Sequence, residues 1–254
     1  VHASHDAEAT YARSRGARVP HQAPNQRALE RLRLRRLAVP FCSVDVPWFR
    51  RRLLAWGRKN RRSFPWRETD DPWQVLVAEV LLQRSRGKTV AKVFEEVFRR
   101  WPDAQALSRA RESSIASVIR PLGLVRRAAT LRAMAKEVER RGGVPADSEG
   151  LLALPGVGQY AANATLVVAF GKRAPVVDGV TARVYRRYLG LSSELPATAD
   201  AELWERVDQA TPRGSTRDWN WAVLDLASEV CLPARPRCGA CPLVERCVYA
   251  SQID

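Results

Sequence analysis

Apolar residues recur at helical spacing along most of this chain, and nowhere do apolar and polar positions alternate long enough to build a strand ladder. Asp45-Val46-Pro47 reads as a helix start, since proline is tolerated in a first turn. Val46, Phe49, Leu53 and Trp56 then mark one face, and Gly57 is expected to end the helix. Asp71-Pro72 opens the next one, WQVLVAEVLLQRS, which is apolar almost all round and therefore expected at the centre of a core. Further helices are expected over residues 89–99, 104–110, 112–119 and 126–140, with Trp101-Pro102 and Pro121-Leu122-Gly123-Leu124 as breaks. Another covers 159–170, one begins at Val180, one at Thr198, and the last long one spans 219–230. The pattern predicts an all-α fold of helices about 8 to 15 residues long, in two helical lobes around a groove.

The most informative stretch runs from Leu151 to Arg187, LLALPGVGQYAANATLVVAFGKRAPVVDGVTARVYRR. Pro155-Gly156-Val157-Gly158 is a tight glycine turn between apolar segments, and a helix follows at once. The free N–H groups at that helix start form a natural seat for a phosphate. The turn with its flanking helices is a helix-hairpin-helix candidate, covering about 151–170. Asp178 lies 20 residues beyond Gly158, at the start of the next helix. Its plain reading is an N-cap; its functional reading is a carboxylate delivered by the unit that grips a nucleic-acid backbone.

Charge favours the second reading. The chain carries 42 Lys and Arg against 27 Asp and Glu, a formal +15, which suits a polyanionic partner. Residues 27–67 hold 13 of the basic residues and only Glu30 and Asp45 as acids, so this segment could lie along DNA or form a solvated arm. All three histidines, His2, His5 and His21, fall near the start of the chain. Serine–histidine triads and histidine zinc sites are thereby excluded from the remainder, and any chemistry must rest on carboxylates. One such carboxylate, Glu79, sits inside the apolar helix. There it must either pair with an arginine at a partly exposed edge or carry a raised pKa. No apolar run reaches transmembrane length and no secretory signal core is visible, so the expectation is a cytoplasmic, nucleoid-associated protein without a membrane partner.

Cys231, Cys238, Cys241 and Cys247 follow the spacing C-x6-C-x2-C-x5-C, which reads as a metal site rather than a disulfide framework; zinc and a four-iron cluster both remain open on spacing. Cys42 stands apart and is expected to be inert. Residues 1–26 lack periodicity and read as a disordered or loosely packed tail. The basic segment 27–66 is expected to join the C-terminal helices and cysteine loop of 191–254 in one lobe, with 67–190 as the central helical domain.

Taken together, these residues resemble the helix-hairpin-helix (HhH-GPD) DNA glycosylases of the endonuclease III and MutY superfamily. LPGVGQYAANATLVVAFGKRAPVVDG is similar to the family's hairpin and catalytic aspartate, here Asp178. DPWQVLVAEVLLQRS resembles the MutY-type helix with a catalytic glutamate, here Glu79, and RDWNWAVLDLASEVC the helix that leads into the cluster. The likeness runs from about Phe64 to Ala250 and implies a [4Fe–4S] cluster on the four cysteines, with a sodium or potassium ion at the hairpin. Bifunctional endonuclease III enzymes carry an imine-forming lysine two residues after the hairpin. Tyr160 stands there, as in the G:T mismatch thymine and uracil glycosylases, whereas MutY has serine. The VDGV wording around Asp178 is nearer to MutY, but the chain ends seven residues after Cys247, short of MutY's additional C-terminal domain.

The resemblance therefore implies a monomeric, monofunctional glycosylase that takes thymine or uracil from G:T or G:U pairs in double-stranded DNA. The alternatives are adenine excision from A:8-oxoguanine or A:G, excision of another modified base, and a non-catalytic lesion binder. Asp178, Glu79 and Tyr160 are the implied catalytic and pocket residues. Gln83, Arg84 and Leu124 would fill or flank the space left by an extruded base, and Gly156, Val157, Gly158 and Gln159 would hold the DNA backbone.

Overall fold

The computed structural model describes residues 45–253, and among them every regular element is helical. The tail, the basic segment up to residue 44 and Cys42 lie outside the described residues. The helices are α1 (Val46–Asn60), α2 (Pro72–Leu82), α3 (Gly87–Arg100), α4 (Ala104–Arg109), α5 (Glu112–Ile119), α6 (Arg127–Arg140), α7 (Ser148–Leu152), α8 (Gln159–Val168), α9 (Gly179–Leu189), α10 (Ala201–Ala210) and α11 (Thr216–Glu229).

Six of them begin in the same way. Asp45, Asp71, Asp103, Asp147, Asp178 and Asp200 each accept a hydrogen bond from a first-turn backbone N–H. Each bond satisfies a donor that a helix start leaves open, a contribution of about 0.5–2 kcal/mol per cap. Asp200 also corrects a boundary. Thr198 lies in a short 3₁₀ turn, Ala197–Ala199, and α10 starts only after the Asp200 cap. At six and five residues, α4 and α7 are shorter than the expected minimum.

Two packed groups emerge. Helices α2 to α8 share one core, in which α2 lies centrally with Val75, Leu76, Val77, Ala78, Val80 and Leu81 buried. The α2 helix packs directly on α8, and α6 on α4 and α5. The other group joins α1 to α9 and α11 around Phe49, whose ring centroid lies 4.2 Å from that of Tyr188 and 4.9 Å from that of Trp219. Trp219 Nε1 donates to the buried Tyr185 hydroxyl at 3.2 Å, which satisfies the indole donor of that cluster.

Gly57 does not end α1; the helix runs through it to Asn60. A Cβ at Gly57 would stand 2.6 Å from Ala222 Cβ, so α1 and α11 approach too closely there for a side chain. Several arginines expected to be free for DNA are instead consumed by the fold. Arg50 donates to the carbonyls of Gln209, Ala210 and Thr211, and Arg52 to Pro242 O and Glu245. Arg61 donates to Arg67 O and lies over the Trp221 ring.

Gly57→Val should therefore destabilise the protein by about 1–3 kcal/mol through overpacking. The measurement is the urea midpoint at unchanged slope. An effect below about 0.5 kcal/mol, as expected at an ordinary surface position, would count against the close contact of α1 with α11.

Candidate active site

Asp178 is the N-cap of α9, as the plain reading held, but one oxygen does all of the capping. Oδ1 accepts from Val180 N at 2.9 Å, Thr181 N at 2.7 Å and Thr181 Oγ1 at 2.9 Å. Thr181 Oγ1 in turn accepts from Asp178 N at 2.9 Å, which closes a capping box. Among the described residues Oδ2 has no hydrogen-bond partner, and it is not sealed from solvent. The side chain is thus held rigidly with one oxygen free.

The far end of α9 is anchored as firmly. Arg183 donates to the carbonyls of Ala227 and Cys231, Arg186 to Asp200 and Leu195 O, and Arg187 to the carbonyls of Leu232 and Pro233 and to Cys231 Sγ at 3.4 Å. Cys231, Cys238, Cys241 and Cys247 line one cavity together with Arg187 and Tyr188, and all four are half-buried. Among the described residues no three His, Cys, Asp or Glu side chains close around a point that would hold a single ion.

Glu79 answers the question left by the sequence. Among the described residues no arginine pairs with it, and Oε2 is buried without a hydrogen-bond partner. Burial first, and the nearby charge of Asp178 second, push its pKa up to about 8, while Arg67 pulls weakly the other way. Arg67 is itself committed: Asp225, 1% exposed, binds it bidentately at 2.8 and 3.0 Å and takes Arg62 Nε at 2.6 Å. Tyr160, on the first turn of α8, feels the same surroundings. Burial, then Glu79, then Asp178 raise its phenol well above the usual range. The structure therefore brings Asp178, Glu79 and Tyr160 into one electrostatic neighbourhood.

The residues expected at the DNA face form three loops. Gln83 and Arg84 lie just past the end of α2, where Gln83 Nε2 donates to Gly156 O at 3.0 Å. Arg84 holds φ 53°, in the left-handed region that non-glycine residues avoid. Gly156 has φ 78°, and a Cβ there would meet Thr130 Cγ2 at 2.3 Å, so only glycine fits. Gly158 caps α8 with open space around it. The Gln159 side chain turns away toward Asn163, which is bound in turn to Pro175 O, leaving Gln159 its backbone N–H for a ligand. In the turn before α6, Leu124 is half-buried, whereas Val125 is 43% exposed. The outward apolar residue is thus Val125, which sequence reading passed over. Asp225, Arg67 and Arg127 were also missed, because buried polar contacts between distant segments leave no local pattern.

This geometry matches a known family over more than half the chain. Residues 77–209 fit the model of the HhH-GPD superfamily of base excision DNA repair proteins, and the chain belongs to that superfamily. It is 39% identical to a thymine-DNA glycosylase of Aeropyrum pernix, over 79% of this chain and 93% of that one. It is 38% identical to a thymine/uracil-DNA glycosylase of Pyrobaculum aerophilum, over 81% and 93%. Among solved structures, a thermostable thymine-DNA glycosylase superposes with a TM-score of 0.78 at 34% identity, covering 82% of this chain and 97% of that one. Adenine DNA glycosylases also match, at 27 to 35% identity. No helix among the described residues is long and apolar enough to cross a membrane.

The Glu79 carboxyl gives a stability test with a definite sign. Its pKa is raised on folding, so between its ordinary value of 4.5 and about 8 the folded protein keeps a proton that the unfolded chain has lost. Its contribution to stability is full below that window and declines as pH rises through it. Glu79→Gln should remove that decline, so the variant's melting temperature relative to wild type should rise from pH 5 to about pH 9. A constant difference across the series would place Glu79 in an ordinary solvated setting.

Proposed function

We propose that this protein is a monofunctional DNA glycosylase of base excision repair. It removes thymine or uracil from G:T and G:U pairs by hydrolysing the N-glycosidic bond, and leaves an abasic site. The observation that carries the reading is Asp178, whose Oδ1 is fully engaged in the capping box while Oδ2 stays free beside Glu79 and Tyr160. A purely structural cap would need no glutamate with a buried, unpartnered oxygen next to it. The two thymine and thymine/uracil relatives support the choice of base.

The raised pKa supports a proton on Glu79, with which it would act as a general acid toward the leaving base rather than as a base toward water. Asp178 Oδ2 stabilises positive charge at the sugar C1′ and receives the proton of the attacking water. The C1′–N bond breaks, its electron pair and the Glu79 proton leave with the base, and the water oxygen bonds to C1′. Charge stabilisation of this kind is strong in a dry site. Tyr160 stays a neutral phenol that shapes the pocket, and it has no amine with which to form an imine. The target base must first leave the duplex. Gln83, Arg84 and the Leu124-Val125 turn would occupy the gap, while the amides of Gly156, Gly158 and Gln159 hold a phosphate. A sodium or potassium ion at the hairpin would be held by backbone carbonyls of the glycine turn and would add positive charge for the phosphate.

Cys231, Cys238, Cys241 and Cys247 would hold a [4Fe–4S] cluster, whose contribution when bound is to brace the loop that anchors α9. The donor set fits. Burial first, and then the charges of Cys247, Cys231 and Cys238, push the Cys241 thiol up to about 11. Thiolates crowded this way call for a cationic core, and an all-sulfur set of four lining one cavity suits four irons. Purified protein should be brown, with iron and sulfide in equal amounts. Removal of the iron should abolish tight DNA binding, and full binding by iron-free protein would count against the bracing role.

The decisive assay is single-turnover base release from duplexes carrying T or U opposite G and A opposite 8-oxoguanine or G, followed by alkali to reveal abasic sites. Release of thymine or uracil is expected, without strand cleavage and without a borohydride-trapped complex. Release of adenine alone would overturn the base assignment. Asp178→Asn should bind DNA but lose about 100-fold or more in rate, and the wild-type rate should fall above about pH 8 as Glu79 loses its proton.

A further inference from the structure

The first turn of α6 touches all three loops that the proposed function turns toward DNA. Leu124 and Val125 lead directly into it, their carbonyls accepting from Arg127 N at 3.0 Å and Ala128 N at 2.9 Å. The Arg127 side chain, 6% exposed, reaches back to the end of α2. Its Nη1 donates to Leu81 O at 2.8 Å and its Nη2 to Ser85 Oγ at 3.1 Å, so its two bonds bracket Gln83 and Arg84. One turn further along, Thr130 fills the place a Gly156 side chain would need, and the hairpin backbone lies flush on the same helix. The Gln83 amide on Gly156 O closes the circuit.

We infer that Arg127 is a positioning residue for base extrusion: it clamps tip, turn and hairpin into one rigid rim. This rests on the glycosylase reading above. The Leu81 carbonyl is among the last of α2, where no intrahelical donor is available, and a planar fork of donors can serve it and Ser85 together. A buried guanidinium is costly unless it is bonded in this way. The clamp also explains how Arg84 is held in a left-handed conformation that an unbraced loop would relax. Forcing a paired base out of its stack loads the rim, because the wedge must push while the hairpin holds. A base that is already unpaired makes no such demand.

The test compares single-turnover release of the same target base from a paired G:T or G:U duplex and from a one-nucleotide bulge. Arg127→Met keeps the aliphatic stem and removes both donors. It should slow release from the paired duplex by about tenfold or more while changing the bulge rate by less than about twofold, since only extrusion needs the rim. Arg127→Lys, able to reach one acceptor, should fall between. Ser85→Ala spares the buried guanidinium and should cost roughly threefold on the paired duplex; it carries the test if the Arg127 variants do not fold. Equal losses on both substrates, or no loss on either, overturn the clamp. A wild type inert on both overturns the glycosylase reading itself, and the clamp falls with it.

Discussion

A carboxylate has two oxygens, and the first turn of α9 uses only one of those on Asp178. Three hydrogen bonds converge on Oδ1, and the same side chain's backbone N–H is returned to Thr181. Such a group has little rotamer freedom left to lose when it meets a substrate, which is what preorganisation requires. On the proposed reading a structural and a functional aspartate coincide at this position, since the cap holds the side chain with one oxygen free.

Glu79 depends on that arrangement. Its surroundings contain an arginine, yet the arginine does not ionise it, because Asp225 has already bound Arg67 through both oxygens. Burial and the Asp178 charge then dominate and hold the Glu79 pKa above its ordinary value. The Arg62–Arg67–Asp225 group also ties the loop before α2 to α11, and so joins the two packed groups of helices behind the site. Removing Asp225 alone would strand two buried or half-buried cations, which is why such a pair, once present, is hard to lose.

Much of this was legible in the chain because it is local. Asp-Pro helix starts, the glycine hairpin, the apolar α2 with its single acid and the cysteine spacing are patterns over a few residues, and each fell close to where it was expected. The misreadings share one cause. Gly57 looks like a helix end until Ala222 is seen against it, and the arginines of α1 look free until the carbonyls of α10 are placed beside them. Leu124 and Val125 are equally apolar as letters; only packing decides which one turns outward. Arg127 carries no motif at all, since its partners lie 42 and 46 residues away.

Helix α9 joins the aimed carboxylate to the cysteine loop. Eleven residues at 1.5 Å each make a rod of about 16 Å, with Asp178 at one tip and the Arg187–Cys231 contact at the other. Damage by oxidants would begin at the sulfurs, loosening the acceptors that hold Arg183 and Arg187. Its effect would travel along the rod to the free Asp178 oxygen well before the helical cores gave way. A catalyst of this build would be silenced under oxidative attack while still folded.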